Sequence, residues 1–199
     1  ALSMREANLC ARLHTIGAKV SRADVERLWK GLRRGGLLTP LTGGGRPTAM
    51  MAGAYRRECP FIQDLPIVCT WRDPQRDLSP SDVASVLAAR ARSILGKDRV
   101  VCLDTTSTAD ATTLEWIVSV ASPSSTEGSA PTHTWLPVSF VVTTPGMAPY
   151  ELFRATGGLA HVEHVRARAE QHGTPWPPAP GTVASAALSS DTCVYDAAG

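Results

Sequence analysis

The sequence predicts an α/β fold: a mixed sheet with flanking helices, preceded by a small helical head. Three observations predict it. Residues 1–57 show helical periodicity and a marked excess of basic side chains. Three apolar, β-branched runs then follow one another with only turn-sized links, at "RVVCLD", "TTLEWIVSVAS" and "TWLPVSFVVTT", which favours an antiparallel meander. Capped helical segments lie before and after these runs, as helices flanking a sheet should.

The elements follow in chain order. "MREANLCARLHTIG" places Leu9, Leu13 and Ile16 at helical spacing, with Gly17 as a stop. "SRADVERLWKGLRRGG" opens with Ser21 and Asp24 in a capping arrangement and aligns Val25, Leu28, Trp29 and Leu32 on one face. Its other face carries Arg22, Arg27, Lys30, Arg33 and Arg34, and it closes at Gly35 and Gly36. "LLTPLTGGGRPT" reads as a short strand and a glycine-rich loop. Helix, connection, basic helix and loop together resemble a helix-turn-helix with a rudimentary wing. Plain helix packing produces the same pattern.

Residues 58–78 read as a joint, with one strand at "LPIVCTW". In "SPSDVASVLAARARSILGKDR", Ser79 caps a helix, Pro80 suits its first turn, Asp82 faces the positive end of the macrodipole and Gly96 ends it. After the three strand-like runs, "APYELFRATGGLAHVEHVRARAEQHG" reads as a long helical region with a break at Gly157 and Gly158. A last strand is expected at "TVASAALSSD", leading to Asp191. The expected organisation is a head over 1–57, a joint over 58–78 and a core over 79–199.

Charge divides along the same line. Residues 1–57 hold eleven Lys and Arg against three acids, a net of +8, whereas the remainder holds nine against fifteen, a net of −6. A basic head on an acidic body is the footprint of polyanion binding through one end. Solvated helix faces carry arginines too. No apolar run reaches the ~20 residues that a membrane-spanning helix needs, and the first residues lack the basic-then-apolar order expected of a secretory signal. Five scattered cysteines without a close pair (Cys10, Cys59, Cys69, Cys102, Cys193) suit a reducing, intracellular compartment.

The acidic residues carry the chemistry. "VVCLDTTSTAD" ends an apolar run in Asp104, with Thr106 and Asp110 after it. "LPVSF" follows at Leu136 to Phe140, and "DTCVYDAAG" supplies Asp191 and Asp196. In that order these fragments resemble the ribonuclease-H-like core of the Mutator-like (MULE) transposases and their SWIM zinc-finger relatives. The similarity spans about Lys97 to Gly199. Ser107 stands where many relatives have histidine, and no cysteine and histidine cluster of the SWIM type occurs.

The resemblance implies metal-dependent DNA strand cleavage and transfer, with Asp104 and Asp191 as catalytic metal ligands ending adjacent strands. It also implies Mg²⁺ or Mn²⁺ as cofactor, a third carboxylate beyond Gly199, DNA as partner, a homo-oligomer as one arrangement, and a nuclear location if the source is eukaryotic. Two hard cations ~3.5–4 Å apart, held by carboxylates, stabilise the attacking and leaving oxygens of a phosphodiester. Arg27, Lys30, Arg33 and Arg34 would meet phosphates. Two readings of Asp104 stand side by side: a metal ligand, or a turn residue bonding the Thr105 and Thr106 amides. The alternative for the whole chain is a non-enzymatic DNA-binding or assembly protein that keeps the fold. His161 and His164 of "HVEH" share a helical face but lack a third ligand nearby. Gly43 to Gly45 lack the Lys-Ser/Thr of a phosphate loop.

Overall fold

The computed structural model describes residues 19–41, 45–72, 78–108, 110–122, 132–173 and 176. Its elements are β1 (Val20–Ser21), α1 (Arg22–Arg34), β2 (Arg46–Met51), the single turn α2 (Gly53–Arg56), β3 (Phe61–Ile62), β4 (Leu65–Arg72), α3 (Pro80–Leu95), β5 (Val100–Ser107), β6 (Ala111–Ser122), β7 (Thr132–Thr143), α4 (Ala148–Thr156) and α5 (Leu159–Gln171). A 3₁₀ turn, Lys97–Arg99, leads into β5. The architecture is mixed α/β, with a five-stranded sheet and flanking helices.

The sheet order is β2-β4-β7-β6-β5. Strands β5, β6 and β7 form the expected antiparallel meander, β2 is antiparallel to β4, and β4 runs parallel to β7. A small β1–β3 pair lies apart from it. The side-chain period of two sends Leu65, Ile67, Leu114, Trp116, Val118, Val138 and Phe140 to one face. There they form a single core with Val25, Trp29 and Leu32 of α1 and Val83, Leu87 and Ala91 of α3. Trp116 and Phe140 meet at a ring separation of 4.6 Å, tilted by 46°.

The division into head, joint and core differs from this packing. Helix α1 and strand β2 come from the expected head and β4 from the expected joint, yet β2 and β4 belong to the same sheet as β5–β7, and α1 packs into the same core. The physical reason is burial. Helix α1 presents an apolar face too wide to leave uncovered, and the run Ile67, Val68, Cys69 is fully buried, as suits a strand between two neighbours. Leu37 and Leu41, expected in a short strand, instead drop from a turn into the core.

The helices begin and end as their sequences dictate. Ser21 accepts the Asp24 amide at the start of α1. Ser79 and Asp82 close a reciprocal capping box on α3, and the Ser79 bonds hold the Asp82 carboxyl below its usual range. The expected break between α4 and α5 falls at Gly157 and Gly158, both with extended backbone. Helix α4 packs on β4 and β7. The helix expected over "MREANLCARLHTIG" and the strand expected over "TVASAALSSD" lie outside the described residues.

Candidate nucleic-acid interface

Helix α1 is fixed at both ends. At its start Asp24, 6% exposed, accepts hydrogen bonds from Ser21 Oγ at 2.7 Å and from Ser122 Oγ at 2.8 Å, and pairs with Arg27. The Ser122 bond ties the helix to the end of β6. At the other end Gly35 lies against Ile94 of α3, and Arg90 of α3 donates to the Leu37, Thr39 and Pro40 carbonyls at 3.3, 2.6 and 2.9 Å. The basic helix is thus presented on a rigid base.

Its cations divide into two sets. Arg22 pairs with Glu26 at 3.3 Å, donates to the Tyr55 carbonyl at 2.6 Å and lies 4.1 Å from the centre of the Tyr55 ring. Burial, with Glu26 adding to it, raises the Tyr55 phenol above its ordinary pKa. Arg27 is held by Asp24. Lys30, Arg33 and Arg34 are exposed, and among the described residues none of them forms an ion pair. They line one open recess of about 330 Å³. Of the four cations expected to meet phosphates, three therefore remain open to an external anion. The fourth, Arg27, is partly neutralised.

Arg33 and Arg34 also complement the negative end of the α1 macrodipole, which accounts for cations at a helix end. Lys30 lies a turn earlier and has no such role. Clustered cations on one helix edge, with no carboxylate ion-paired to them among the described residues, attract polyanions and steer their approach.

Asp104 is placed differently from expectation. It stands in the middle of β5, after a register shift between Cys102 and Asp104, and the strand runs on to Ser107. The side chain is exposed, and its Oδ1 accepts the Thr105 amide at 2.7 Å. Of the two amides the turn reading named, Thr105 and Thr106, the carboxylate bonds the first, and it does so within a strand. Directly across the ladder stands Glu115, whose Oε2 accepts Ser139 Oγ at 3.0 Å. Asp104, Glu115 and Ser139 thus form a row over three strands. Glu115 escaped the sequence reading, although a charge inside "TTLEWIVSV" was the signal for it. Among the described residues no group of three or more His, Cys, Asp or Glu side chains could hold a metal. Asp191 lies outside the described residues, as does Asp196.

His161 and His164 are both exposed on α5, and the His161 ring packs 5.5 Å from Phe153. No protein-family model matches the chain, and no curated protein matches it. No helix of the described residues is long and apolar enough to cross a membrane.

Proposed function

We propose that this chain binds DNA through the outer face of α1, with Lys30, Arg33 and Arg34 seated against the phosphate backbone. The observation that carries the reading is the open recess between these three side chains, which have no carboxylate partner among the described residues. Three phosphate contacts give a log–log salt slope of about −2.7, so affinity should fall roughly fortyfold between 50 and 200 mM salt. Anisotropy of a labelled duplex measures this directly. Salt-independent affinity, or undiminished binding by the Arg33→Glu/Arg34→Glu double variant, refutes it.

A second reading adds catalysis to binding. In it the chain is a transposase-type enzyme with a ribonuclease-H-like core, and Asp104 with Asp191 binds Mg²⁺ or Mn²⁺ for DNA strand cleavage and transfer. One observation favours it. Strand β5 carries an exposed carboxylate, and its outer edge has no strand partner among the described residues. A further strand would have to pair there for the two aspartates to converge. Titration of Mn²⁺ into the protein and into Asp104→Asn, followed by calorimetry, tests it. Equal binding by both proteins removes Asp104 from any metal site and leaves DNA binding without catalysis.

A further inference from the structure

Helix α1 contains two glycines four residues apart, Gly31 inside the helix and Gly35 at its C-terminal cap. A glycine inside a helix weakens it relative to alanine, so each should have a physical reason. Gly35 has one within the protein, since a Cβ there would stand 2.6 Å from Ile94 Cγ2 and 2.9 Å from its Cγ1. Gly31 has none among the described residues. It is exposed, its backbone is ordinary α-helix, and among the described residues a Cβ would meet nothing within 4 Å.

Its neighbours on the helix surface are Arg27 and Leu28, one turn before, and Arg34 and Gly35, one turn after. Among the described residues the helix main chain on that side is uncovered between the Arg34 guanidinium and that of Arg27, which is already paired with Asp24. Glycine is the residue that allows another backbone to approach closely. A phosphodiester strand lying along a helix flank presents the matching shape and charge, with phosphates spaced along it to reach successive cations.

We propose that Gly31 is a contact position of the interface, where the sugar–phosphate backbone passes against the α1 main chain between Arg27 and Arg34. The inference rests on the DNA-binding reading and deepens it by adding a second flank, since Arg34 is shared with the recess whereas Lys30 and Arg33, one and two positions from Gly31, lie towards the other side of the helix. Gly31 acts by leaving room and contributes no charge. A side chain at position 31 should therefore lower affinity while stabilising the free protein.

The experiment compares Gly31→Ala, Gly31→Leu and Arg33→Glu/Arg34→Glu in the full chain, by thermal melting and by anisotropy with a short labelled duplex. Gly31→Ala should raise the melting temperature and weaken DNA binding on the order of fivefold, and Gly31→Leu should weaken it by about tenfold or more. If both Gly31 variants bind as wild type while the charge reversal weakens binding, the contact at Gly31 is overturned and the basic face survives. Undiminished binding by all three overturns the DNA-binding reading itself. A lower melting temperature for Gly31→Ala also overturns the inference, because the glycine would then serve the fold.

Discussion

The contact between Gly35 and Ile94 allows a worked prediction. A Cβ at position 35 would stand 2.6, 2.9 and 3.2 Å from Ile94 Cγ2, Cγ1 and Cδ1, where carbon atoms prefer ~3.5–4.0 Å. The two closest atoms branch from the Ile94 Cβ and cannot swing away without a rotamer change. Gly35 itself has φ −71° and ψ −1°, a conformation open to alanine, so no dihedral strain arises and the clash is offset only by the roughly 0.4–1 kcal/mol that alanine gains by restricting the unfolded chain. Gly35→Ala should therefore cost about 1–3 kcal/mol, the usual range for overpacking, or a fall in Tm of roughly 2–12 °C at this chain length. Ile94→Ala alone should cost about 2 kcal/mol, the low end for isoleucine because the side chain is only half-buried. In the double variant the new methyl group enters the vacated space, and the combined loss should fall short of the sum by about 1–2 kcal/mol. Urea denaturation of the four proteins with linear extrapolation gives the cycle. A neutral or stabilising Gly35→Ala, or strict additivity with Ile94→Ala, refutes the close approach of α1 and α3.

Three other predictions follow from the structure. Asp24→Asn keeps the shape of the α1–β6 tie but removes the charge that Ser21, Ser122 and Arg27 share; it should cost about 2 kcal/mol against about 1 kcal/mol for Ser122→Ala, read by chemical denaturation. Complete burial pushes the Cys69 thiol up to about 12, so it should resist alkylation at pH 8 while Cys59 and Cys102, both half-buried, react in the native protein. Because the unfolded chain loses that proton near pH 9 and the folded chain holds it, Cys69 stabilises the fold fully below pH 9 and progressively less as pH rises towards 12. Wild type should lose stability over this window more steeply than Cys69→Ala. Ser79→Ala removes the α3 cap and should cost about 1 kcal/mol. Ser79 bonding lowers the Asp82 carboxyl, so its contribution is present above the unfolded carboxylate pKa and fades as pH falls through the folded value. The Ser79→Ala deficit should accordingly shrink in acid, by melting at several pH values.

The sequence made the local elements legible because their signals are local. Ser21 and Ser79 marked helix starts, Gly157 and Gly158 marked a break, and the three consecutive strands paired as neighbours in sequence do. What it hid was long-range pairing. Nothing in "LPIVCTW" states that its parallel partner is β7, some seventy residues on, and the charge contrast between residues 1–57 and the remainder suggested a boundary that burial of α1 does not respect. The basic face was legible as a set of cations, but only the Asp24 and Glu26 contacts separate the quenched pair, Arg27 and Arg22, from the open trio. Asp104 was legible as an isolated carboxylate after apolar residues. Its place inside β5 rather than at the end was not, since the threonines that follow suit a turn and a strand equally.

The parallel pairing of β4 with β7 has a consequence for how the chain is made. A ribosome delivers β2 and β4 well before Thr132 emerges, so this early hairpin must wait with the inner flank of β4 bare, and its buried run Ile67, Val68, Cys69 is a hazard for self-association until β7 arrives. Cooperative closure is thereby postponed until Thr132–Thr143 has emerged, and anything that shelters the nascent hairpin in that interval governs the yield of native protein.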